Sequence, residues 1–298
     1  MTATAGPSTG LAARAAAPSA VRPARRRLRR IASLRTGAQA AAIVLWCLLP
    51  VYWLVVSAFR DPRTTFELTP LPTRPTLANF AAAFDPTDLL LRGVANSAMI
   101  SGGVTLVSLV IGATAAYGLA RWTFRGRDLL LGALLAASML PGASLATPLY
   151  GVWAALGWSY SYQAIALPYL ALTLPLTVFT LQSFFQGLPW ELEDAARVDG
   201  CTRRQAFLHV ILPLAAPSVF TAAILSFLAT WNEYVLATVL TGDRTITVTV
   251  VIGNFASDIT GYTVTMAAGA IVTVPLIVLV LLFQRRIVSG LTAGAVRA

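Results

Sequence analysis

Lysine is absent: all 22 basic residues of the 298-residue chain are arginine. That excludes the usual phosphate-binding loop of ATP- and GTP-hydrolysing proteins, whose Lys reaches the phosphates. Schiff-base and Ser–Lys chemistry, which need an ε-amine, are excluded with it. Charge of either sign is scarce, at 11% of residues against 57% hydrophobic, whereas soluble domains are about a quarter charged. Cysteine is limited to Cys47, in an apolar run, and Cys201, in a polar one, so no disulfide framework is expected. The sole histidine is His209, and with no second His and no Cys at ligand spacing no metal site is expected. No secretory signal is expected either. The first apolar run is too long for one and leads into Phe59-Arg60-Asp61 without a small-residue cleavage site.

What the chain does have is length in its apolar runs, at 37–58, 94–120, 129–156, 163–185, 214–240 and 264–283. About 20 apolar residues in an α-helix cross the roughly 30 Å of bilayer hydrocarbon. The expected fold is therefore an all-α membrane protein with six transmembrane helices and both termini on one side. Eight Arg precede the first run: Arg14, Arg22, Arg25, Arg26, Arg27, Arg29, Arg30 and Arg35. Basic residues crowded beside a span hold that end in the cytoplasm and attract anionic lipid. The net charge of +10 is thus assigned to orientation and membrane lipid, not to nucleic acid. With both termini inside, 17 Arg fall on the cytoplasmic side and five outside, the asymmetry that the positive-inside rule requires. Residues 1–36 are expected to be a disordered Arg-rich cytoplasmic tail. Residues 37–91 hold the first span and an outer loop, and 285–298 form a cytoplasmic C-terminal tail.

Proline lies within several runs, as Pro141 and Pro148, Pro168 and Pro175, and Pro275. Interrupted helices survive in lipid where other helices or a cavity satisfy the freed carbonyls, and transporters use them. In the second run Ser108, Gly112 and Ala116 stack small residues four apart, a pattern for close helix packing. Trp153, Trp158, Tyr160 and Tyr162 bracket a turn and fit an aromatic belt at the membrane surface. Residues 245–251 alternate polar and apolar like a strand, but a lone strand there has no partner, and an outer loop is expected.

The informative segment runs Pro189-Trp-Glu-Leu-Glu-Asp-Ala-Ala-Arg-Val-Asp-Gly-Cys-Thr-Arg-Arg-Gln-Ala-Phe-Leu-His-Val-Ile-Leu-Pro213. It predicts two short helices joined at a glycine. Pro189 suits a first helical position, and Glu191, Glu193 and Asp194 fall where the helix dipole favours anions. Glu193 and Arg197 stand at pairing distance, i and i+4. Gly200 offers a left-handed C-terminal stop, and Thr202 with Gln205 has the capping-box spacing. Ala195, Ala196 and Gly200 leave a face nearly bare of side chains, suited either to a groove on another protein or to the membrane surface.

This segment resembles the EAA loop of permease subunits of ABC importers, whose pattern is Glu-Ala-Ala, three residues, Gly, nine residues, Ile, one residue, Leu-Pro. Here Asp194-Ala195-Ala196 is followed by Gly200, Val210 and Leu212-Pro213 at that spacing, with Asp for Glu and Val for Ile. Trp231-Asn232-Glu233-Tyr234 and the ending from Gly290 to Arg297 are similar to the carbohydrate branch, in particular to the smaller permease of maltose transport. The resemblance implies a type I, binding-protein-dependent importer permease, with 92–284 as its core and 186–213 as its coupling loop. Glu193, Asp194, Ala195, Ala196, Asp199, Gly200, Val210, Leu212 and Pro213 would then meet an ATPase. It further implies two ATP-binding subunits, a second homologous permease and an extracytoplasmic solute-binding protein in the plasma membrane of a bacterium. ATP would be bound by the partner subunits, with no cofactor in this chain and no enzymatic activity.

Glu233 is the one charge within a run, and ionisable groups there are functional candidates by default. It lies 19 residues beyond Leu214, about 28 Å along a helix, close to a membrane surface. Trp231, Asn232 and Glu233 are candidates for the translocation path or an outer gate, with an interface anchor as the alternative. An ion-gradient-driven secondary transporter would need ionisable groups near mid-membrane, and an intramembrane enzyme would need a buried nucleophile with a base. Neither set is present.

Overall fold

A computed structural model describes residues 21–84, 89–256 and 261–295, with side chains from 35 to 284 within those limits. Its helices are α1 (Val21–Ala58), α2 (Ala78–Ala83), α3 (Leu89–Arg121), α4 (Arg127–Ser138), α5 (Gly142–Ala155), α6 (Tyr162–Gln186) and α7 (Glu191–Val198). They continue as α8 (Arg203–Ala206), a π-helical turn (Phe207–Ile211), α9 (Leu212–Leu214), α10 (Ala216–Trp231), α11 (Val235–Leu240), α12 (Val248–Phe255) and α13 (Tyr262–Ala295). Four helices are long and apolar enough to cross a membrane, or up to six if each of two bent pairs is one span.

The chain divides into two compact units between Trp53 and Leu54. In the first, α1 is exposed at every residue from Arg35 to Tyr52, as suits a helix bathed in hydrocarbon. The tail expected to be disordered spans residues 1–36. Residues 1–20 lie outside the described ones, but from Val21 the backbone is helical. Arg, Ala and Leu are good helix formers, and a helix already nucleated by an apolar span extends cheaply. Likewise 285–295 continue α13.

The second unit is built on α3, α6 and α10. Ser108, Gly112 and Ala116 all face inward on α3, and a Cβ on Gly112 would meet Thr177 Cγ2 of α6 at 2.6 Å. Without hydrophobic attraction between helices in lipid, such close approach and hydrogen bonds across helices provide the cohesion. Both occur here. The Ser108 and Thr177 hydroxyls lie 2.9 Å apart, and Thr177 is 2.9 Å from the Ser226 hydroxyl of α10.

Two expected spans are interrupted. The run 129–156 is two helices, α4 and α5, bent by 94°. The residue before proline avoids the α region, so Leu140-Pro141 ends one helix and Pro141 serves as N-cap of the next. The run 214–240 is broken at Asn232–Tyr234 between α10 and α11. By contrast α6 carries Pro168 and Pro175 in one helix of 25 residues. The strand-like stretch 245–251 becomes helical at Val248, where Ser97 Oγ of α3 accepts the Val248 N–H at 2.9 Å.

Gly112→Ala is expected to destabilise the protein by about 1–3 kcal/mol through overpacking, seen as a lower melting temperature in detergent. Gly103→Ala, where a Cβ would meet nothing within 4 Å, should leave the melting temperature unchanged or slightly raised, since Ala is the better helix former.

Candidate functional site

The loop between α6 and α10 is ordered by its own sequence. Trp190 is the N-cap of α7, with Glu191, Glu193 and Asp194 in the first turn. Pro189, expected as the first helical residue, precedes the cap instead: α7 starts at Glu191, and the Trp190 carbonyl accepts the Glu193 and Asp194 N–H groups. Gly200 has φ +91°, the left-handed conformation that a side chain disfavours. Around it the Cys201 N–H donates to Ala196 O at 3.0 Å and the Gly200 N–H to Arg197 O at 3.1 Å. This pair of bonds is the Schellman stop, which satisfies carbonyls the helix end would leave bare. At Thr202 the predicted capping box forms: the Gln205 N–H donates to Thr202 Oγ1 at 3.4 Å and the Thr202 N–H to Gln205 Oε1 at 2.8 Å. The π turn carries His209 and a half-buried Val210, Leu212 packs partly inward, and Pro213 is exposed. A bend of 76° then leads into α10.

The two faces of α7 differ from expectation. Glu193 is only 7% exposed, and its Oε2 lies 3.9 Å from Nε of Arg121, at the end of α3. The expected i, i+4 partner, Arg197, is on the exposed side. A buried guanidinium needs a counter-charge within reach, and Arg121 is 5% exposed, so the carboxylate turns toward it. Ala196 is also turned inward, at 6% exposure. The bare outer face is therefore Ala195 and Gly200, with Asp194, Asp199 and the 87%-exposed Val198 beside them. Arg121 also donates from Nη1 to Leu188 O at 3.1 Å, and its Cζ sits 4.6 Å from the Trp190 ring centroid. Beneath lies an aromatic cluster, with Tyr117 and Phe207 ring centroids 4.6 Å apart and Phe185 edge-on to both.

At the other candidate site, Trp231 is buried and stacked on Phe227, centroids 5.5 Å apart. Asn232 ends α10, its Nδ2 donating to Leu228 O at 2.8 Å. Glu233 caps α11: Oε1 accepts the Leu236 N–H at 2.9 Å, and Oε2 accepts the Ala237 N–H at 3.1 Å and the Tyr169 hydroxyl at 2.9 Å. Its carbonyl accepts from Thr249 Oγ1 at 2.8 Å. Glu233 thus joins three helices, its carboxylate holding α6 and α11 and its backbone carbonyl α12.

Arg121, Trp190 and Val198 were not singled out by sequence. Arg121 gives no signal beyond ending an apolar run, but a large apolar residue at 198, two before the glycine stop, could have been read as part of the outer face.

Several membrane-length helices with an ordered loop helix at their ends define a polytopic membrane component. The family described as "binding-protein-dependent transport system inner membrane component" matches residues 108–293, and the chain belongs to that family. It is 44% identical over 259 residues to the trehalose transport system permease protein SugB of Mycobacterium tuberculosis, covering 86% of this chain and 94% of that protein. It is 39% identical over 265 residues to the trehalose/maltose transport system permease protein MalG of Thermococcus litoralis, covering 88% and 95%. The fold is shared, at 19% identity and TM-score 0.71, with the crystal structure of a bacterial ABC transporter involved in the import of the acidic polysaccharide alginate, over 87% of this chain and 97% of that one. The chain is therefore a multi-pass permease subunit of the plasma membrane, a transport component and not an enzyme. It works with solute-binding components and with partner subunits that use ATP.

Glu233→Ala should destabilise the protein by about 1.5–3 kcal/mol, the value of hydrogen bonds to a charged acceptor, with faster hydrogen exchange at the Leu236 and Ala237 amides. Tyr169→Phe, which removes one of the three donors, should cost about 1 kcal/mol and leave those amides protected.

Proposed function

We propose that this chain is one of two related permeases in an importer that moves a sugar or oligosaccharide, and that α7 is the helix that seats on an ATP-binding subunit. The observation that carries this reading is the division of α7. Its inner face, with Glu193 and Ala196, is buried, while its outer face offers Ala195, Val198 and Gly200, small or apolar groups that desolvate cheaply against a partner. The names of the relatives from M. tuberculosis and T. litoralis, a trehalose and a trehalose/maltose permease, favour a carbohydrate. In the proposed assembly each permease meets one of two ATP-binding subunits, and a solute-binding protein delivers the sugar from outside. Closure of the ATPases on ATP draws the two loops together and rocks the helices outward-open. Binding must favour that state by differential contact, since equal affinity for both states shifts nothing.

Six spans are proposed, one at each of the six apolar runs, with both termini and the 186–213 loop in the cytoplasm. The 17-to-five division of Arg supports this orientation. A cysteine at Thr202, in a background lacking Cys47 and Cys201, should react with an impermeant maleimide only after the membrane is opened. Labelling in intact cells would reverse the topology.

Ala195→Glu and Val198→Glu each put a carboxylate on the outer face of α7 without entering the permease interior. Sugar uptake should fall at least tenfold, and the ATP-binding subunits should no longer co-purify, at normal permease abundance. Gly200→Val should do the same by straining the left-handed turn, whereas Asp194→Glu should be harmless. Ala196→Glu would bury a charge and is no clean probe. Full assembly and full uptake in both Ala195→Glu and Val198→Glu would refute docking through α7.

A further inference from the structure

α3 joins the two regions described above. It runs 33 residues without a proline, about 50 Å at 1.5 Å per residue, whereas the runs 129–156 and 214–240 are both broken. At one end Asn96 Nδ2 donates to the carbonyls of Arg244, at 3.0 Å, and Ile246, at 2.8 Å, and Ser97 holds the start of α12. At the other end stands Arg121. An unbroken helix packed along its length moves as one body, so displacement of Arg121 is delivered to the segment 244–248.

Arg121 reaches the loop at three points before and within α7: Leu188 O, the Trp190 ring and Glu193. The third contact is incomplete. Charge-assisted N–H···O bonds close at about 2.7–2.9 Å, yet Arg121 Nε and Glu193 Oε2 stand 3.9 Å apart. Both atoms are buried, and neither has a hydrogen-bond partner among the described residues. Arg121 Nη2 is in the same condition beside them, and the Tyr117 hydroxyl faces the same Glu193 carboxylate. About 1 Å of inward travel by α7 would bring the pair to hydrogen-bond length. A buried polar atom without a partner is unfavourable, so the cluster gains by that movement.

We propose that Arg121 is the positioning residue through which movement of α7 reaches α3, with the Arg121–Glu193 pair open in the conformation described and closed when an ATPase presses on α7. The proposal rests on the reading of α7 as the ATPase-docking helix. A static anchor would have its hydrogen bond already made, whereas a loose, buried pair has two lengths available and can respond to pressure from outside.

The test uses the complete transporter in vesicles, with permeases, ATP-binding subunits and loaded solute-binding protein, and reads sugar transported per ATP hydrolysed. Arg121→Gln should assemble normally and hydrolyse ATP within about twofold of the wild type, while transport per ATP falls at least tenfold, and Glu193→Gln should lower transport per ATP likewise. Arg121→Lys keeps a charge facing Glu193 but lacks the planar fork, and should fall between. The double variant Arg121→Gln/Glu193→Gln decides whether charge balance alone matters. It removes both charges, so a merely structural pair would recover its coupling, whereas a transmitting Arg121 would stay uncoupled. Normal transport per ATP in Arg121→Gln, loss of assembly in both single variants, or recovery in the double variant would each overturn the proposal. Ala195→Glu, run alongside, separates the two readings. If it disassembles the complex while Arg121→Gln remains coupled, docking stands and transmission through Arg121 fails. If it and Val198→Glu both assemble and transport normally, docking itself fails and this proposal with it.

Discussion

Where α3 passes α6, Thr177 occupies the space that a Cβ on Gly112 would need, 2.6 Å from its methyl group. Hydrocarbon neither drives apolar surfaces together nor supplies partners for polar groups, so helices held there must touch closely and share hydrogen bonds internally. The glycine permits the first, and the chain of hydroxyls from Ser108 through Thr177 to Ser226 provides the second. Both ends of the second unit hang from this junction. The aromatic cluster of Tyr117, Phe185 and Phe207 closes over one end, and Tyr169, Trp231, Leu236 and Val248 pack together at the other.

The charged side chains at the two ends do different work. Glu233 is saturated: two amide N–H groups and a phenol converge on its carboxylate, fixing the point where α10 gives way to α11. That occupation leaves it poorly placed to carry an ion across the membrane and favours the anchor over the gate. Glu193 is the reverse case, a buried carboxylate with an oxygen still unpartnered. One carboxylate locks a helix start, and the other leaves a contact with room to shorten.

Signals that act over a few residues were legible in the sequence. The positive φ at Gly200, the Thr202–Gln205 capping box, the acidic first turn of α7 and the small stripe on α3 all stand in the structure as read. Each depends on neighbours one helical turn away or less. What escaped was set by distant parts of the chain. Glu193 had a ready partner at Arg197, but a guanidinium 72 positions earlier, buried and in need of a counter-charge, took the carboxylate instead. The facing of Ala196 followed from that choice, because residues 193 and 196 lie on the same side of a helix. Proline was equally ambiguous. Pro141 coincides with a sharp bend, while Pro168 and Pro175 sit inside an unbroken helix, and which outcome applies depends on surrounding packing that no local pattern encodes.

The π-helical turn from Phe207 to Ile211 lies just ahead of Pro213. A proline ring presses on the carbonyl four residues before it, here that of His209, which lies inside the wide turn. The wider winding gives that carbonyl room, so the proline is carried without a break at that point. Winding of this kind also consumes a residue that an α-helix would not. Phe207 must stay in the aromatic cluster and Ala215 at the bend, so the number of residues between them is fixed by geometry at both ends. The segment can exchange one side chain for another of similar bulk, but it cannot gain or lose a residue. Its length, more than its composition, is the quantity the fold holds constant.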